Sequence, residues 1–291
     1  MIGVEPVQST LHEYARPATL EQALAIQDET RSTILAGGTD IYPGTDRQCL
    51  PGPVLDIGGI SDLRGISMSQ PGIRIGATTT WSDILHADLP DALTALKLAA
   101  REVGSIQIQN AGTVVGNLCN ASPAADGVPP LLIADTEVEV ASVNGKRRLP
   151  LSEFVVGNRA TALAPNEIAT GLCIPESGLS GRSSFLKLGS RAHLVISIAM
   201  VAVRIGIDKD RISEIAVAVG ACSPVAIRLR TLEAALAGRP MSEVSDIIAR
   251  ADVSTDLQPI ADIRASREYR IDAAKTLILR CLMAAANGTD D

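Results

Sequence analysis

Leu35-Ala36-Gly37-Gly38-Thr39-Asp40-Ile41 and, much further along the chain, Gly112-Thr113-Val114-Val115-Gly116-Asn117-Leu118 decide how this sequence reads. The second stretch runs on through Ala121-Ser122-Pro123-Ala124-Ala125-Asp126. Glycine lets a backbone approach a ligand closely, and Thr, Asn, Ser and Asp can hydrogen-bond it. The two stretches are expected to be loops that close on one anionic cofactor. A turn at Ala36–Thr39 can aim several N–H groups at one point, a nest that binds phosphate without a positive charge. Asp40 would repel phosphate and suits a neutral sugar hydroxyl instead. Taken alone, this segment reads equally well as a tight turn with Asp40 capping a helix. The second stretch shifts the balance, because Thr113, Asn117, Ser122 and Asp126 fall where there is almost no bulky residue. Asp126 by itself reads as a turn or cap residue, and Cys119 as a small buried filler.

The flanking elements follow from pattern. Thr19 before Leu20, Ala23, Leu24 and Ala25, with Glu21 and Gln22 in the first turn, predicts a capped helix. Ser32–Leu35 predicts a strand feeding the first glycine stretch, and Pro53–Asp56 a second, ended by Gly58-Gly59. Ile73-Arg74-Ile75 alternates as a strand. Thr80 or Ser82 caps a short helix through Leu85. Leu93, Leu96, Ala99, Ala100 and Val103 keep helical spacing up to Gly104. Asn144-Gly145 predicts a hairpin joining Val138–Val143 to Lys146–Leu149. Gly178–Gly181 reads as a linker. Beyond it, Ile196–Ile207 and Ile212–Val219 read as strands around the polar turn Asp208-Lys209-Asp210. Three helices follow, at Thr231–Ala237, Ser242–Val253 and Tyr269–Ala286. In the last, Ile271, Ala274, Ile278, Cys281, Leu282 and Ala285 make one apolar face. The domain border therefore falls near residue 178, with 1–177 (parts about 1–57 and 58–177) before it and 182–288 after it.

Composition removes whole classes of function. At 291 residues the chain exceeds one typical compact core. With 46% hydrophobic and 20% charged residues it is globular, and with 2% aromatics its core must be aliphatic. A net charge of -7 argues against nucleic acid. Lys146-Arg147-Arg148, the densest basic cluster, reads as a solvated turn. The longest apolar run, Leu194–Val203, is too short to span a bilayer, which takes ~20 residues. Met1–Glu5 lacks a basic region followed by an apolar run, so no signal peptide is expected and the location is expected to be cytoplasmic. Cys49, Cys119, Cys173, Cys222 and Cys281 are too scattered for a disulfide or iron–sulfur framework. His12, His86 and His193 lack metal-ligand spacing. There is no G-x-G-x-x-G, no Walker A, no H-E-x-x-H and no G-x-S-x-G, so neither a Rossmann dehydrogenase nor a nucleophile elbow is expected.

A series of short motifs in fixed order carries a resemblance over nearly the whole chain. It begins with Tyr14-x-x-Pro17-x-Thr19-Leu20-x-x-Ala23-Leu24 and Ala36-Gly37-Gly38-Thr39-Asp40. It continues through Gly76-Ala77-x-Thr79, Gln107-Ile108-Gln109-Asn110-x-Gly112-Thr113-x-x-Gly116-Asn117 and Ala121-Ser122-Pro123-x-x-Asp126. Arg159-x-Thr161-x-Leu163 and Phe185-x-Lys187-x-Gly189-x-Arg191 follow. Gly220-Ala221-Cys222-Ser223-Pro224, with Arg228, Glu233 and Gly238, closes the set. In these motifs the chain resembles the flavin-binding medium subunit of the molybdenum hydroxylases, the group of xanthine dehydrogenase and bacterial carbon monoxide dehydrogenase.

The resemblance implies an α+β fold: a vanillyl-alcohol-oxidase-like (PCMH-type) FAD-binding domain of two subdomains, then a smaller C-terminal domain of an antiparallel sheet plus helices. It implies FAD as cofactor. Leu35, Ala36, Gly37, Gly38 and Thr39, with Thr113, Val114, Val115, Gly116 and Asn117, would hold the pyrophosphate. Asp40, Ile41 and Asp126 would contact the sugar and ribityl parts. Gly104, Ala169 and Lys187 would lie near the remaining cofactor edge, where a fixed Lys187 cation could favour the anionic reduced flavin. Outside the family context Lys187 reads as a surface salt bridge. The implied partners are an iron–sulfur small subunit and a molybdopterin-binding large subunit, in a heterotrimer or a dimer of heterotrimers, with an external electron acceptor. No catalytic or metal-binding residue is then required of this chain. Gln109 stands where many relatives have Arg, removing a charge that could orient a neighbouring loop or partner. Val115 replaces the first glycine of a Gly-Gly pair, which predicts a backbone φ below zero there. A stand-alone flavin oxidoreductase and a flavin-free assembly module are the two other readings.

Overall fold

A computed structural model describes residues 14–46, 50, 52–69, 72–191 and 194–288. His12, His193 and Cys49 lie outside the described residues. The chain begins with a small parallel sheet of Tyr14–Ala15 (β1), Thr33–Leu35 (β2) and Val54–Asp56 (β3), in the order β1-β3-β2. Helix Leu20–Thr30 (α1) links the first two strands. Its start is the one expected, with the Thr19 side chain accepting from the Gln22 N–H.

Next comes an antiparallel sheet of Ile66–Ser69 (β4), Gly72–Gly76 (β5), Glu137–Ser142 (β6) and Gly145–Pro150 (β7). The short hairpin Val155–Gly157 (β8) and Ala160–Thr161 (β9) precedes its central strand, Ile168–Pro175 (β10), and the order is β4-β5-β10-β6-β7. Ser142 faces Gly145 across the predicted hairpin. The helices are Trp81–His86 (α2), Thr94–Glu102 (α3), Ile106–Ala111 (α4), Val114–Asn120 (α5), Val128–Ile133 (α6) and Leu151–Phe154 (α7). Thr80 and Asp83 form a reciprocal capping box at the start of α2.

One sequence expectation changes here. The second glycine stretch is a helix rather than a loop: Thr113 is the N-cap of α5 and its Oγ1 accepts from the Gly116 N–H. Thr followed by small apolar residues satisfies both a capped helix and a flexible loop, and packing of Val114 and Leu118 into the core selects the helix. α6 is opened by Pro129 and Pro130 in its first turn.

The C-terminal sheet is antiparallel and ordered Arg182–Leu188 (β11), Ala199–Asp208 (β12), Arg211–Gly220 (β13), Ile227–Arg228 (β14). β12 starts at Ala199, not Ile196, because Ile196 is exposed in the preceding connection. The continuous apolar run of β12 is explained by burial on both faces. Met200 and Ala202 join the core shared with the N-terminal sheet and helices, whereas Val201 and Val203 face a second core. That second core is closed by Arg230–Leu236 (α8), Val244–Arg250 (α9) and Arg267–Asn287 (α10). Among the described residues no helix is long and apolar enough to cross a membrane, and no cluster of three or more His, Cys, Asp or Glu is arranged to hold a metal.

The start of α10 is fixed by Arg270, whose buried guanidinium donates to Asp262 at 2.8 Å and to the carbonyls of Ile198 and Ala221. The Arg264 backbone N–H, with the Arg270 and Arg264 guanidinium groups, holds the Asp262 carboxyl well below the ordinary carboxylate range. A depressed carboxylate stabilises the fold above its unfolded pKa, about 3.9, and loses that contribution as pH falls toward the folded value. Asp262→Asn is therefore expected to lower stability to urea at pH 7, by an amount that shrinks progressively as the pH is lowered from about 4 toward the folded value. A loss that stays constant across this range would contradict this assignment.

Candidate functional site

The two glycine stretches meet. A Cβ added to Gly37 would stand 2.1 Å from the Ala111 carbonyl oxygen and 2.8 Å from Gly112 Cα, so these backbones are pressed together with no room for a side chain. The Trp81 N–H donates to the Gly112 carbonyl and the Val114 N–H to the Thr79 carbonyl, which ties the start of α5 to the start of α2. Between the stretches lies a cavity of about 490 Å³.

Its walls place the sequence-expected residues as follows. Ala36, Gly37, Gly38, Thr39, Asp40 and Ile41 line it on one side. Thr113, Val115, Gly116 and Asn117 line it on the other, and Ala169 of β10 forms part of a third wall. Leu35, Gly104, Val114, Asp126 and Lys187 do not reach it. The side chains of Leu35 and Val114 point into the core. Gly104, at φ 54°, ends the α3 segment and is packed by Ile108. Val115 is helical and is not among the positive-φ positions, as its sequence predicts.

Asp126 and Lys187 pair with each other. Lys187 Nζ donates to Asp126 Oδ2 at 2.8 Å, and the Ser197 hydroxyl donates to Oδ1 at 3.3 Å. Both side chains are nearly buried, at 8% and 11% exposure, so Lys187 is not a surface salt bridge. Desolvation pushes the Asp126 pKa up while the ammonium of Lys187 opposes it. The pair is held between the strand β11 and the segment after α5.

The donor chemistry of the cavity is that of an anion cradle without cations. Among the described residues, the backbone N–H groups of Gly37, Gly38, Thr39, Asp40 and Ile41 donate to no protein acceptor. In the first turn of α5 the Thr79 carbonyl and Thr113 Oγ1 take the N–H groups of Val114 and Gly116, leaving that of Val115. Orphaned donors facing a cavity suit phosphate oxygens. Among the described residues no lysine or arginine lines the cavity, and the acids Asp40 and Glu167 suit the hydroxyls of a sugar or ribityl chain. The remaining wall is apolar, with Ile34, Ile57, Leu163 and Ile168, and accommodates a flat ring system. A nucleotide-containing flavin fits this set of groups.

Sequence reading missed several wall residues. Glu167 accepts from Nε and Nη2 of Arg147, each at 2.8 Å, and from the Ala164 N–H, and these hold its carboxyl below the usual range. It immediately precedes β10, which is interrupted by Gly171 and a bulge between Ala169 and Gly171 and so is hidden from a period-two search. Trp81, 1% exposed, also lines the cavity. Cys119 lines it too, and burial pushes its thiol up to about 12, so it is a neutral packing group.

Thr113→Ala removes the α5 cap, and a loss of about 1 kcal/mol of stability is expected in chemical denaturation. Thr113→Ser retains the oxygen and is expected to stay within a few tenths of the parent.

Comparison with known proteins agrees with this architecture. The description "FAD binding domain in molybdopterin dehydrogenase" matches residues 7–177, and "CO dehydrogenase flavoprotein C-terminal domain" matches residues 184–285. The chain is 30% identical to the xanthine dehydrogenase FAD-binding subunit of Escherichia coli O157:H7, over 94% of this chain and 97% of that one. It is 33% identical to the nicotinate dehydrogenase FAD-subunit of Eubacterium barkeri, over 79% and 81%. Among solved structures, carbon monoxide dehydrogenase from Hydrogenophaga pseudoflava superposes with a TM-score of 0.84 at 26% identity, covering 94% of this chain and 97% of the other.

Proposed function

Because this chain belongs to the FAD-binding subunit family of the molybdopterin dehydrogenases, as an oxidoreductase subunit with FAD as its cofactor, we propose that it carries electrons between an iron–sulfur partner subunit and an external acceptor. In this reading the organic substrate is hydroxylated on a molybdopterin-binding large subunit, and the assembly is a heterotrimer or a dimer of heterotrimers. The names of the relatives support a multi-subunit dehydrogenase. The single observation that carries the cofactor site is the run of orphaned N–H groups from Gly37 to Ile41, facing the start of α5 across one cavity.

When bound, FAD supplies a redox centre that exchanges electrons singly or in pairs. The residues of this chain bind and orient it. The backbone of Gly37–Ile41 and the Val115 N–H would hold the pyrophosphate, and Asp40 and Asn117 would take sugar and ribityl hydroxyls. Ala169 and Ile168 would wall one ring. Lys187 would act from outside the cavity wall, as a cation fixed by Asp126. We place the border between the two domains in the connection from β10 to β11.

Trp81 is the one tryptophan of the chain and lines the cavity. Titration of flavin-free protein with FAD is expected to quench its fluorescence saturably, at one flavin per chain, and to leave the purified complex yellow. Unchanged tryptophan emission in the presence of bound flavin would place the cofactor elsewhere.

A further inference from the structure

A second cleft, of about 520 Å³, opens on the N-terminal sheet and is lined by different residues. Arg74 of β5 and Lys146 and Arg148 of β7 stand around Glu139, with Asp62 also in the lining, whereas Arg147, opposite buried Val140 in register, is held by Glu167. A local excess of cations is unexpected in a chain of net charge -7. The solvated turn read from Lys146-Arg147-Arg148 is therefore one wall of a concavity.

The cations are organised. Arg74 Nε donates to Glu139 Oε2 at 2.6 Å, and Arg148 Nη2 donates to Glu139 Oε1 at 2.8 Å. Arg74 reaches Glu139 by crossing β10 above Gly171, where its Nη2 also donates to the Thr170 carbonyl at 3.1 Å. A Cβ on Gly171 would lie 3.1 Å from Arg74 Nη2 and 3.1 Å from Glu139 Oε2, so the absent side chain opens this path. One carboxylate thus pins two guanidinium groups and uses both of its oxygens doing so. Donors remain in surplus. Among the described residues, Lys146 Nζ, Arg148 Nε and Nη1 and Arg74 Nη1 donate to no protein acceptor. Fixed guanidinium forks beside an ammonium match phosphate oxygens. The volume exceeds that of a lone phosphate, and half-buried Leu20 adds apolar surface at its edge.

We propose that this cleft binds a phosphorylated small molecule through its phosphate groups, at a site separate from the flavin cavity. The shared chemistry is a phosphate dianion or polyphosphate, whether free or carried on a nucleotide.

Calorimetry on the FAD-loaded protein tests this, with inorganic pyrophosphate and ADP as probes and sulfate as control. Saturable binding of at least one probe at one site, with Kd below about 1 mM, is expected. Lys146 is exposed and without a partner, so Lys146→Glu leaves the fold intact, and it is expected to weaken binding at least tenfold. Arg148→Gln should weaken it in the same direction. Tighter ADP than pyrophosphate would assign the site to a nucleotide, and equal affinities would assign it to free polyphosphate. Absence of saturable binding to about 10 mM, equal binding of sulfate, or K146E protein that binds both probes like the parent would overturn the proposal.

Discussion

Gly37→Ala is expected to yield protein that purifies without flavin and binds added FAD more than about 100-fold more weakly than the parent. The reason is steric. The new methyl group would stand 2.1 Å from the Ala111 carbonyl oxygen, inside any permitted contact, and that neighbour is backbone rather than a movable side chain. The two stretches must separate, and the N–H groups of Gly37–Ile41 lose their common aim. Gly38→Ala supplies the comparison. Gly38 has φ 70°, which costs an L-residue about 1 kcal/mol, and its Cβ would meet the exposed Tyr42 ring, which can move aside. Its effect is expected to be the smaller of the two. Visible absorbance per chain after purification, with FAD titration of each variant, reads the order directly. Gly37→Ala protein that retains a full complement of FAD would show that the stretches do not form the cradle.

Arg204→Ala is expected to destabilise the protein by about 1 to 3 kcal/mol in chemical denaturation. Arg204 lies on the face of β12 that turns toward the shared core, at the register of Met200 and Ala202. Its side chain is 7% exposed. Its Nε donates to the Ile133 carbonyl at 2.8 Å, and the guanidinium also reaches Asp135, Glu214 and the Ser180 carbonyl. Arg228 of β14 does the same from beside it, donating to the Leu132 carbonyl and Asp135 and pairing with buried Glu233. Two arginines of the C-terminal sheet therefore cap the last carbonyls of α6, where a helix leaves acceptors unsatisfied. Truncation strands the Ile133 carbonyl in the interior, while Leu132 keeps Arg228, and Asp135, at φ 50° in the turn after α6, loses one of its cations. A buried acceptor left without its donor costs more than the hydrogen bond contributes net, whereas the carboxylates of Asp135 and Glu214 remain open to water. A loss under about 1 kcal/mol would mean that water replaces the guanidinium at little cost.

The sequence exposes those parts of the fold in which local signal and tertiary packing agree. Thr19, Thr80 and Asn144-Gly145 mark their elements because a cap or a tight turn depends on chemistry within a few residues. The apolar face of α10 is visible for a similar reason, with Ala274, Ile278, Cys281, Leu282 and Ala285 all buried. β10 and β11 escape pattern reading. β10 carries a bulge and Gly171, and β11 mixes Ser183, Ser184 and Lys187, whose burial depends on distant partners such as the Ala95 N–H and Asp126. The cavity is legible to the same degree. Gly37, Gly38 and Thr113 declare themselves by residue type, whereas Glu167, Trp81 and Ile57 reach the wall only through tertiary folding. The Asp126–Lys187 pair illustrates the limit most clearly: each residue matches a family motif, yet their pairing with each other is set by how β11 packs against α3 and meets the segment between α5 and α6.

A cryo-EM or crystal structure of the FAD-bound subunit is the most direct test of the claim that one cradle is made by two distant glycine stretches. The account predicts pyrophosphate oxygens within hydrogen-bond distance of the N–H groups of Gly37–Ile41 on one side and of Val115 on the other. Diphosphate density away from these groups, with Gly37 and Gly112 still in contact, would contradict it.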